Sequence, residues 1–262
     1  MTVIAVANNK GGVGKTTTTL NLGAALCAMH LRVLLVDFDP QASLTIYMGY
    51  DPSVLTHNVY HMLTRRASAL EILCTGRHPF LDLLPASIEL ASAELEISGM
   101  MGREYILRDQ LDTLRDLYDV VLIDNMPSLG ILTVNSLMAS DYVIVPVEPT
   151  YLAYKGLEMI SSTIGEVRRY NPKLELLGTI LTMVDERTRH SKEIIRLIQN
   201  SFPVLMPMIH RSVKFADATA KGQSISDYAG ENFDGSRAYA EIAEQISRRL
   251  MPENGDFPID PA

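Results

Sequence analysis

Residues 3–17 read VIAVANNKGGVGKTT and decide the fold of this 262-residue chain. The run Val3–Ala7 is short and apolar, which predicts a strand buried on both faces. Three glycines follow within residues 11–14, and the pattern over Lys15–His30 is helical. A strand, a glycine-rich loop and a helix in this order present successive backbone N–H groups at a helix N-terminus. The stretch therefore predicts an anion-binding loop at one edge of a sheet.

The loop ends in Gly14-Lys15-Thr16-Thr17, as a phosphate-binding P-loop does, although Asn9 stands where the standard spacing has its first glycine. In such a loop we expect Lys15 to reach the β- and γ-phosphates and the Thr16 hydroxyl to ligate Mg²⁺. We expect Thr17 to hold the α-phosphate. The plainer interpretation is a glycine-rich turn with a solvated lysine, and the strand and helix on either side disfavour it.

Further apolar runs predict the rest of the sheet. Because they are continuous rather than alternating, they indicate a mostly parallel sheet with helices on both faces. Helical patterns cover most of Thr56–Arg115, Ser191–Asn200 and Asp234–Leu250. We expect an α/β fold, a single three-layer domain over residues 1–250, and a flexible tail over residues 251–262. The predicted strands are Arg32–Asp37, Asp119–Asp124, Tyr142–Val147 and Leu176–Met183, with a weak one near Phe80–Leu84 and a sixth candidate at Val204–Ile209.

Two of the predicted strands end in acidic residues. VLLVDFDPQAS, residues 33–43, contains Asp37 and Asp39, and VVLID, residues 120–124, ends in Asp124. The carboxyl ends of parallel strands meet at the sheet edge where ligands bind. The sequence therefore predicts a cluster of carboxylates beside the loop, although a turn or a helix N-cap also accounts for Asp39.

KGGVGKTT, residues 10–17, resembles the deviant Walker A motif of the ParA/MinD superfamily. The resemblance covers roughly residues 2–250 and implies a P-loop NTPase fold. It departs from the family at Asn125-Met126, where a small residue and Pro are usual, and within IHRSVKF, where His210, Ser212 and Lys214 replace Pro, Asn and Arg. The other similar segments are VLLVDFDPQ (33–41), VVLID (120–124), VPVEP (145–149), TMVDERT (182–188) and IHRSVKF (209–215).

This resemblance implies the roles of the site residues. In the family the first lysine, here Lys10, reaches across an ATP-sandwich homodimer to the partner's phosphates, as an arginine finger does elsewhere. Asp39 is implied to orient the attacking water, and Asp124 to hold Mg²⁺ through water. Asp37 is implied to support the loop or the Mg²⁺ shell. With Lys15, these make ATP and Mg²⁺ the expected cofactors.

The resemblance also implies which residues contact the nucleotide. The family packs the adenine near the segment that here contains His210 and Arg211, so both are expected to be neighbours of the base. The implied contacts are Lys10, Gly11, Gly12, Val13, Gly14, Lys15, Thr16, Thr17, Met183, His210 and Arg211.

The charge of the chain is unevenly distributed. The net charge is −8, which argues against a chain coated in basic groups. Residues 187–214 nevertheless contain six Lys and Arg residues against one acidic residue, Glu193. In the family, basic residues of these segments bind DNA without sequence preference, which implies DNA contacts here. A solvated helical face with nucleotide-contacting arginines is the plainer interpretation. The DNA-binding candidates are Arg187, Arg189, Arg211 and Lys214.

The resemblance implies a ParA-type ATPase that positions a plasmid, chromosome or protein assembly on the nucleoid. A ParB-like or adaptor partner is expected to stimulate hydrolysis. The alternative is a MinD-like ATPase that works on a membrane or protein surface, for which a basic amphipathic C-terminal helix is needed. Arg248-Arg249 followed by PENGD makes a poor anchor, so we expect no membrane partner.

Two cysteines, Cys27 and Cys74, exclude a disulfide framework and disfavour the cluster site of a nitrogenase iron protein. The C-terminal tyrosine cluster of the related bacterial kinases is also missing. The N-terminus lacks the basic region and the long apolar run of a signal peptide, so we expect a cytoplasmic, nucleoid-associated protein. Because the sequence starts at the loop-bearing strand, we expect no operator-specific DNA binding.

Overall fold

The computed structural model describes residues 1–128, 130–187 and 189–250, and at positions 77, 189 and 190 the backbone alone. Within these residues the strands form one eight-stranded sheet. The strands are β1 (Thr2–Val6), β2 (Val33–Phe38), β3 (Cys74–His78), β4 (Leu81–Leu84), β5 (Val120–Asn125), β6 (Tyr142–Val147), β7 (Glu175–Leu181) and β8 (Val204–Leu205).

The same described ranges contain twelve α-helices and one short 3₁₀ helix, Arg103–Tyr105. The α-helices are α1 (Lys15–Ala28), α2 (Ser43–Tyr47), α3 (Val59–Leu63), α4 (Ala69–Ile72), α5 (Leu90–Ile97), α6 (Ile106–Asp112), α7 (Ile131–Ala139), α8 (Tyr151–Val167), α9 (Arg189–Ser201), α10 (Lys214–Ala220), α11 (Ile225–Ala229) and α12 (Asp234–Leu250). None of the described helices is both long enough and apolar enough to serve as a membrane span.

The sheet runs in the order β3-β4-β2-β5-β1-β6-β7-β8. Only the β3–β4 pair is antiparallel, and every other pair of neighbours is parallel. Strand β1 therefore lies at the centre between β5 and β6, and β2 lies on the other side of β5. This order places the carboxyl ends of β1, β2, β5 and β6 at one edge of the sheet. Strand β1 leads into the glycine-rich loop, β2 and β5 lead to the acidic residues, and β6 leads into the segment VPVEP.

Helices cover both faces of the sheet, as the continuous apolar strands predict. Along β2, Leu34 and Val36 face a core that contains α3–α7, whereas Leu35 faces a second core with α1, α2 and α10–α12. A third core joins β6 to α7, α8 and α9. The predicted fold class, a three-layer and mostly parallel α/β domain, is thus confirmed.

Most of the predicted elements are present, with small shifts at their ends. The predictions for Tyr142–Val147 and Asp234–Leu250 match β6 and α12 to the residue. The sixth strand is wrong beyond Leu205, because Pro207 has no N–H to donate to a sheet. The predicted helical segment 56–115 contains β3 as well as helices, and the predicted tail, residues 251–262, lies outside the described residues.

Candidate functional site

The loop between β1 and α1 has the backbone of an anion cradle. Gly14 caps α1 with φ +85°, and Gly12 has φ +72°, both in the left-handed region that glycine adopts without strain. A Cβ at Gly14 would also lie 3.8 Å from the side chain of Thr182. The Thr182 hydroxyl in turn donates to the carbonyl of Val13 at 2.9 Å, which ties the loop to the end of β7.

The two lysines of the loop lie in different surroundings. Lys15 is 7% exposed, and its Nζ donates to the carbonyl of Lys10 at 3.2 Å. Burial lowers the pKa of Lys15, while Asp124 and Asp39 raise it. The Lys10 side chain is 43% exposed, and its Nζ lies 3.4 Å from Glu148 Oε2. Lys15 is therefore placed inside its own loop and Lys10 at the mouth.

Asp124 is a buried carboxylate with an unused oxygen. It pairs in register with Asp37 on the neighbouring strand, and its Oδ2 has no hydrogen-bond partner among the described residues. Burial and the Asp37 carboxylate raise the pKa of Asp124, while a hydrogen bond from Thr16 lowers it. The Thr16 hydroxyl and a carboxylate oxygen without a described partner are oxygen donors of the kind that suits Mg²⁺, an ion that usually keeps several of its waters.

The Asp37 carboxylate is occupied by the loop that follows β2. Its Oδ2 accepts from the backbone N–H and the hydroxyl of Thr45, at 2.8 Å and 2.7 Å, and its Oδ1 accepts from the N–H of Asp39 at 3.3 Å. Burial raises the pKa of Asp37 to about 7, against the effect of these hydrogen bonds. Of the two roles predicted for Asp37, these contacts match support of the loop.

Asp39 lies at the start of the same loop and is partly exposed. Its Oδ1 accepts from the N–H of Gln41 at 2.9 Å, so the carboxylate stabilises a turn in the chain without nucleotide. This is the plainer of the two interpretations of Asp39. The position at the carboxyl end of β2, within the electrostatic reach of Lys15, also suits a group that faces the phosphates.

A pocket of about 300 Å³ opens beside the loop. The segment after β7 pairs with the segment after β8, since Val184 N donates to Ile209 O at 3.0 Å. This pairing brings Met183 together with His210 and Arg211, as the sequence predicts, and Gly14 and Thr17 also line the pocket. Sequence reasoning missed Tyr47, Phe215 and Tyr239 in the lining, because nothing in a helical pattern shows which aromatic residue faces a ligand.

Comparisons with known proteins agree on one family. A family model described as "AAA domain" matches residues 1–176. The chain is 38% identical over 248 residues to the sporulation initiation inhibitor protein Soj of Bacillus subtilis, covering 94% of this chain and 98% of Soj. It is also 38% identical over 252 residues to the chromosome partitioning protein ParA of Caulobacter vibrioides, covering 94% of each. The chain belongs to the ParA/MinD family.

A solved structure extends the likeness to three dimensions. It is named cobyrinic acid a,c-diamide synthase, from Mycobacterium smegmatis, and holds an ATP analogue and magnesium. It is 40% identical to this member of the ParA/MinD family, covers 95% of each chain and superposes with a TM-score of 0.83. The P-loop NTPase fold of the chain is therefore supported by both sequence and structure.

Two of the predicted DNA-binding arginines of this ParA/MinD protein form ion pairs. Arg187 Nε donates to Asp185 Oδ1 at 2.8 Å, and this contact lowers the pKa of Asp185. Arg211 Nη2 lies 2.9 Å from Glu148 Oε1. The sequence analysis missed both carboxylates, since the basic window began two residues after Asp185 and Glu148 is distant in sequence.

The remaining two candidates differ. Lys214 is exposed and its Nζ lies 4.5 Å from the centre of the Phe233 ring, a cation–π contact. The Arg189 side chain lies outside the described residues. On α9, Lys192 and Arg196 are exposed one turn apart, opposite the buried residues Ile194 and Ile198.

The departure from the family at Asn125-Met126 has a structural counterpart. Asn125 is 1% exposed, and its Nδ2 donates to the carbonyls of Val6 and Ile123, each at 3.2 Å. Met126 packs against the core on the α3–α7 side. The asparagine therefore joins the ends of β1 and β5 from the face opposite Asp124.

Proposed function

We propose that the protein is a ParA-type ATPase that binds ATP with Mg²⁺, closes into an ATP-sandwich dimer and hydrolyses ATP. The observation that carries the proposal is the position of Lys10. Its side chain is 43% exposed at the mouth of a loop whose inner position is already filled by the buried Lys15. A second lysine with this exposure can reach the phosphates of another subunit once it leaves its contact with Glu148.

The residues of the loop explain nucleotide binding. Backbone N–H groups around Gly12 and Gly14 point toward bound phosphates at the N-terminus of α1, where the helix dipole favours anions. Thr16 and Asp124 hold the metal, Asp124 through water. Mg²⁺, when bound, neutralises charge on the phosphate oxygens. A cation bound beside Asp124 would favour its charged form and so oppose the burial that raises its pKa.

Hydrolysis is assigned to Asp39 and Lys10. Asp39 accepts a hydrogen bond from the attacking water once the loop after β2 closes on the phosphates, and Asp37 keeps that loop in place through Thr45. Lys10 from the partner subunit stabilises the charge that develops in the transition state, which is the role of an arginine finger. An isolated chain lacks that lysine, so basal turnover is slow.

The ATP dimer is proposed to bind DNA without sequence preference and to position a plasmid, chromosome or protein assembly on the nucleoid. The support is the exposed Lys192 and Arg196 on α9 together with the exposed Lys214, on a protein whose net charge is −8. Arg187, Arg189, Arg211 and Lys214 remain the proposed contacts. A ParB-like or adaptor partner is proposed to stimulate hydrolysis.

The experiment is sedimentation of the protein with duplex DNA or with anionic liposomes, each with ATP, with ADP and without nucleotide. The proposal expects a dimer with ATP alone and co-sedimentation of that dimer with DNA. Co-sedimentation with liposomes instead supports the MinD-like alternative. Release of phosphate in the absence of any substrate that could accept an amide group distinguishes a partition ATPase from an enzyme such as cobyrinic acid a,c-diamide synthase. A protein that stays monomeric with ATP contradicts the proposed dimer.

A further inference from the structure

Glu148 lies between the phosphate side and the base side of the site. It directly follows β6, the neighbour of β1, so its side chain reaches the loop that follows β1. Its carboxylate contacts two cations at once, Lys10 Nζ from Oε2 at 3.4 Å and Arg211 Nη2 from Oε1 at 2.9 Å. At 27% exposure this carboxylate is the least exposed member of the three.

The two contacts have different consequences. The shorter one, to Arg211, fixes the direction of the carboxylate, because each oxygen then faces one cation. The other oxygen holds the Lys10 ammonium against its own chain. A lysine engaged in this way is withdrawn from any second subunit. The affinity for that subunit is proportional to the fraction of chains in which Lys10 is free, so the ion pair lowers it.

We propose that Glu148 is a positioning residue for Lys10, which it retains on its own chain until a partner's nucleotide competes for the ammonium. The inference rests on the proposed ATP-sandwich dimer. Dimerisation then replaces the contact of Lys10 with a carboxylate of its own chain by a contact with phosphates bound to the other chain. The exchange opposes dimerisation by the free energy of the two Lys10–Glu148 ion pairs that each dimer must break.

The test is the change Glu148→Gln, which removes the charge and preserves the shape and one oxygen acceptor. Ion pairs this exposed are weak, but each dimer breaks two of them, so E148Q dimers formed with Mg²⁺ and a non-hydrolysable ATP analogue should be about two- to twenty-fold tighter than the natural protein. Sedimentation equilibrium measures the change. The matched control is Glu158→Gln, which breaks the exposed Lys155–Glu158 pair on α8, 2.8 Å in length, and should leave dimerisation unchanged.

A second measurement needs no dimer. In the protein without nucleotide, an amine-reactive reagent should label Lys10 about two- to five-fold faster in E148Q than in the natural protein, because the amine is no longer held against a carboxylate and is more accessible to the reagent. Mass spectrometry compares Lys10 with Lys173 in the same sample. Loss of fold would also expose the buried Lys15 and speed its labelling relative to the exposed Lys173, whereas the inference expects the increase at Lys10 alone.

The outcomes separate this inference from the proposed function. A natural protein that dimerises with the analogue, together with E148Q that dimerises equally or less and labels at the same rate, overturns the role of Glu148 alone. A natural protein and E148Q that both stay monomeric overturn the proposed dimer and this inference with it. Tighter E148Q dimers with faster labelling of Lys10, and no change in E158Q, support it.

Discussion

Lys10 and Lys15 are five residues apart in one loop, yet the structure gives them opposite surroundings. Lys15 is buried against the loop carbonyl of Lys10, and the exposed Lys10 side chain contacts the partly buried carboxylate of Glu148. Removal of the buried lysine takes away a charge that faces the phosphates of its own chain. Removal of the exposed lysine leaves the cradle intact.

We therefore expect Lys10→Ala to keep ATP binding and to lose partner-stimulated hydrolysis. An arginine-finger type of contact contributes about 10³-fold or more to turnover, which sets the size of the loss. Binding of a fluorescent ATP analogue and single-turnover phosphate release measure the two properties separately. Lys15→Ala is the control and should lose binding. Unchanged turnover in Lys10→Ala would contradict the contact between subunits.

Alanine variants of Asp39 and Asp124 should give different results in the assays of nucleotide binding and phosphate release. Asp39→Ala removes a partly exposed group that makes one turn contact, so we expect nucleotide binding to persist and the ATP dimer to accumulate on DNA. Asp124→Ala removes the buried carboxylate oxygen that has no described partner, so we expect Mg²⁺-dependent nucleotide binding to weaken. Loss of nucleotide binding in a folded Asp39→Ala variant would instead make Asp39 a structural residue or a metal ligand.

For individual residues, the sequence predicts where a side chain lies better than it predicts which other side chain it contacts. Asp37, Asp124 and Lys15 come together because their places at strand ends and in the loop are fixed by the backbone. The ion pairs of Glu148 and Asp185 escape prediction, because a long side chain selects among several cations only once the three-dimensional arrangement exists. The roles assigned to these residues stay predictions until the variants are measured.

At the scale of the elements, one hydroxyl joins the phosphate loop to the far side of the sheet. Thr182, 3% exposed, donates to the Val13 carbonyl across the end of β7. Thr182→Val keeps the volume and leaves that carbonyl without its donor, so we expect a loss of about 1–2 kcal/mol in the free energy of unfolding. Urea denaturation measures it, and Thr182→Ser, which keeps the hydroxyl, is the control. Equal loss in both variants would show that packing, rather than the hydrogen bond, is responsible.

The elements that sequence reasoning found and missed differ in physical character. Strands β2 and β5 are buried on both faces, so their apolar runs stand out from the flanking sequence. Strand β3 has the sequence CTGRH, which has no apolar run and contains a glycine, because an antiparallel edge strand is covered less. It forms through its pairing with β4, a contact that the local sequence of residues 74–78 does not predict.

At the scale of the whole molecule, the charge map decides how DNA is held. A net charge of −8 repels a polyanion, so binding requires a local concentration of free cations. The structure reduces the number available in the isolated chain, because Asp185 neutralises Arg187 and Glu148 neutralises Arg211. Lys214 instead contacts the aromatic ring of Phe233.

The salt dependence of DNA binding tests this count. Every cation that neutralises a phosphate releases counterions and lowers log K by about 0.9 per unit of log salt concentration. If Arg187 and Arg211 keep their carboxylates, Lys214 and the predicted Arg189 give about four contacts per ATP dimer and a slope near −3.6; release of both arginines would give about eight contacts and a slope near −7. Because all four residues are proposed contacts, we expect the steeper slope, measured by fluorescence anisotropy of a labelled duplex, and a slope near −3.6 would show that both arginines keep their carboxylates.

The proposed DNA contacts also predict which substitutions weaken duplex binding. Lys214→Glu reverses a charge on each subunit of the dimer, so it should abolish duplex binding and leave ATP-driven dimerisation intact. Lys173→Glu is the matched control, because this exposed lysine precedes β7 at the edge of the sheet opposite the nucleotide loop. No duplex binding by the natural ATP dimer at low salt, or binding indifferent to reversal at both Arg189 and Lys214, would contradict the assignment. The basic face would then be a solvated surface, and the acidic remainder of the chain would favour a protein track over a nucleic acid.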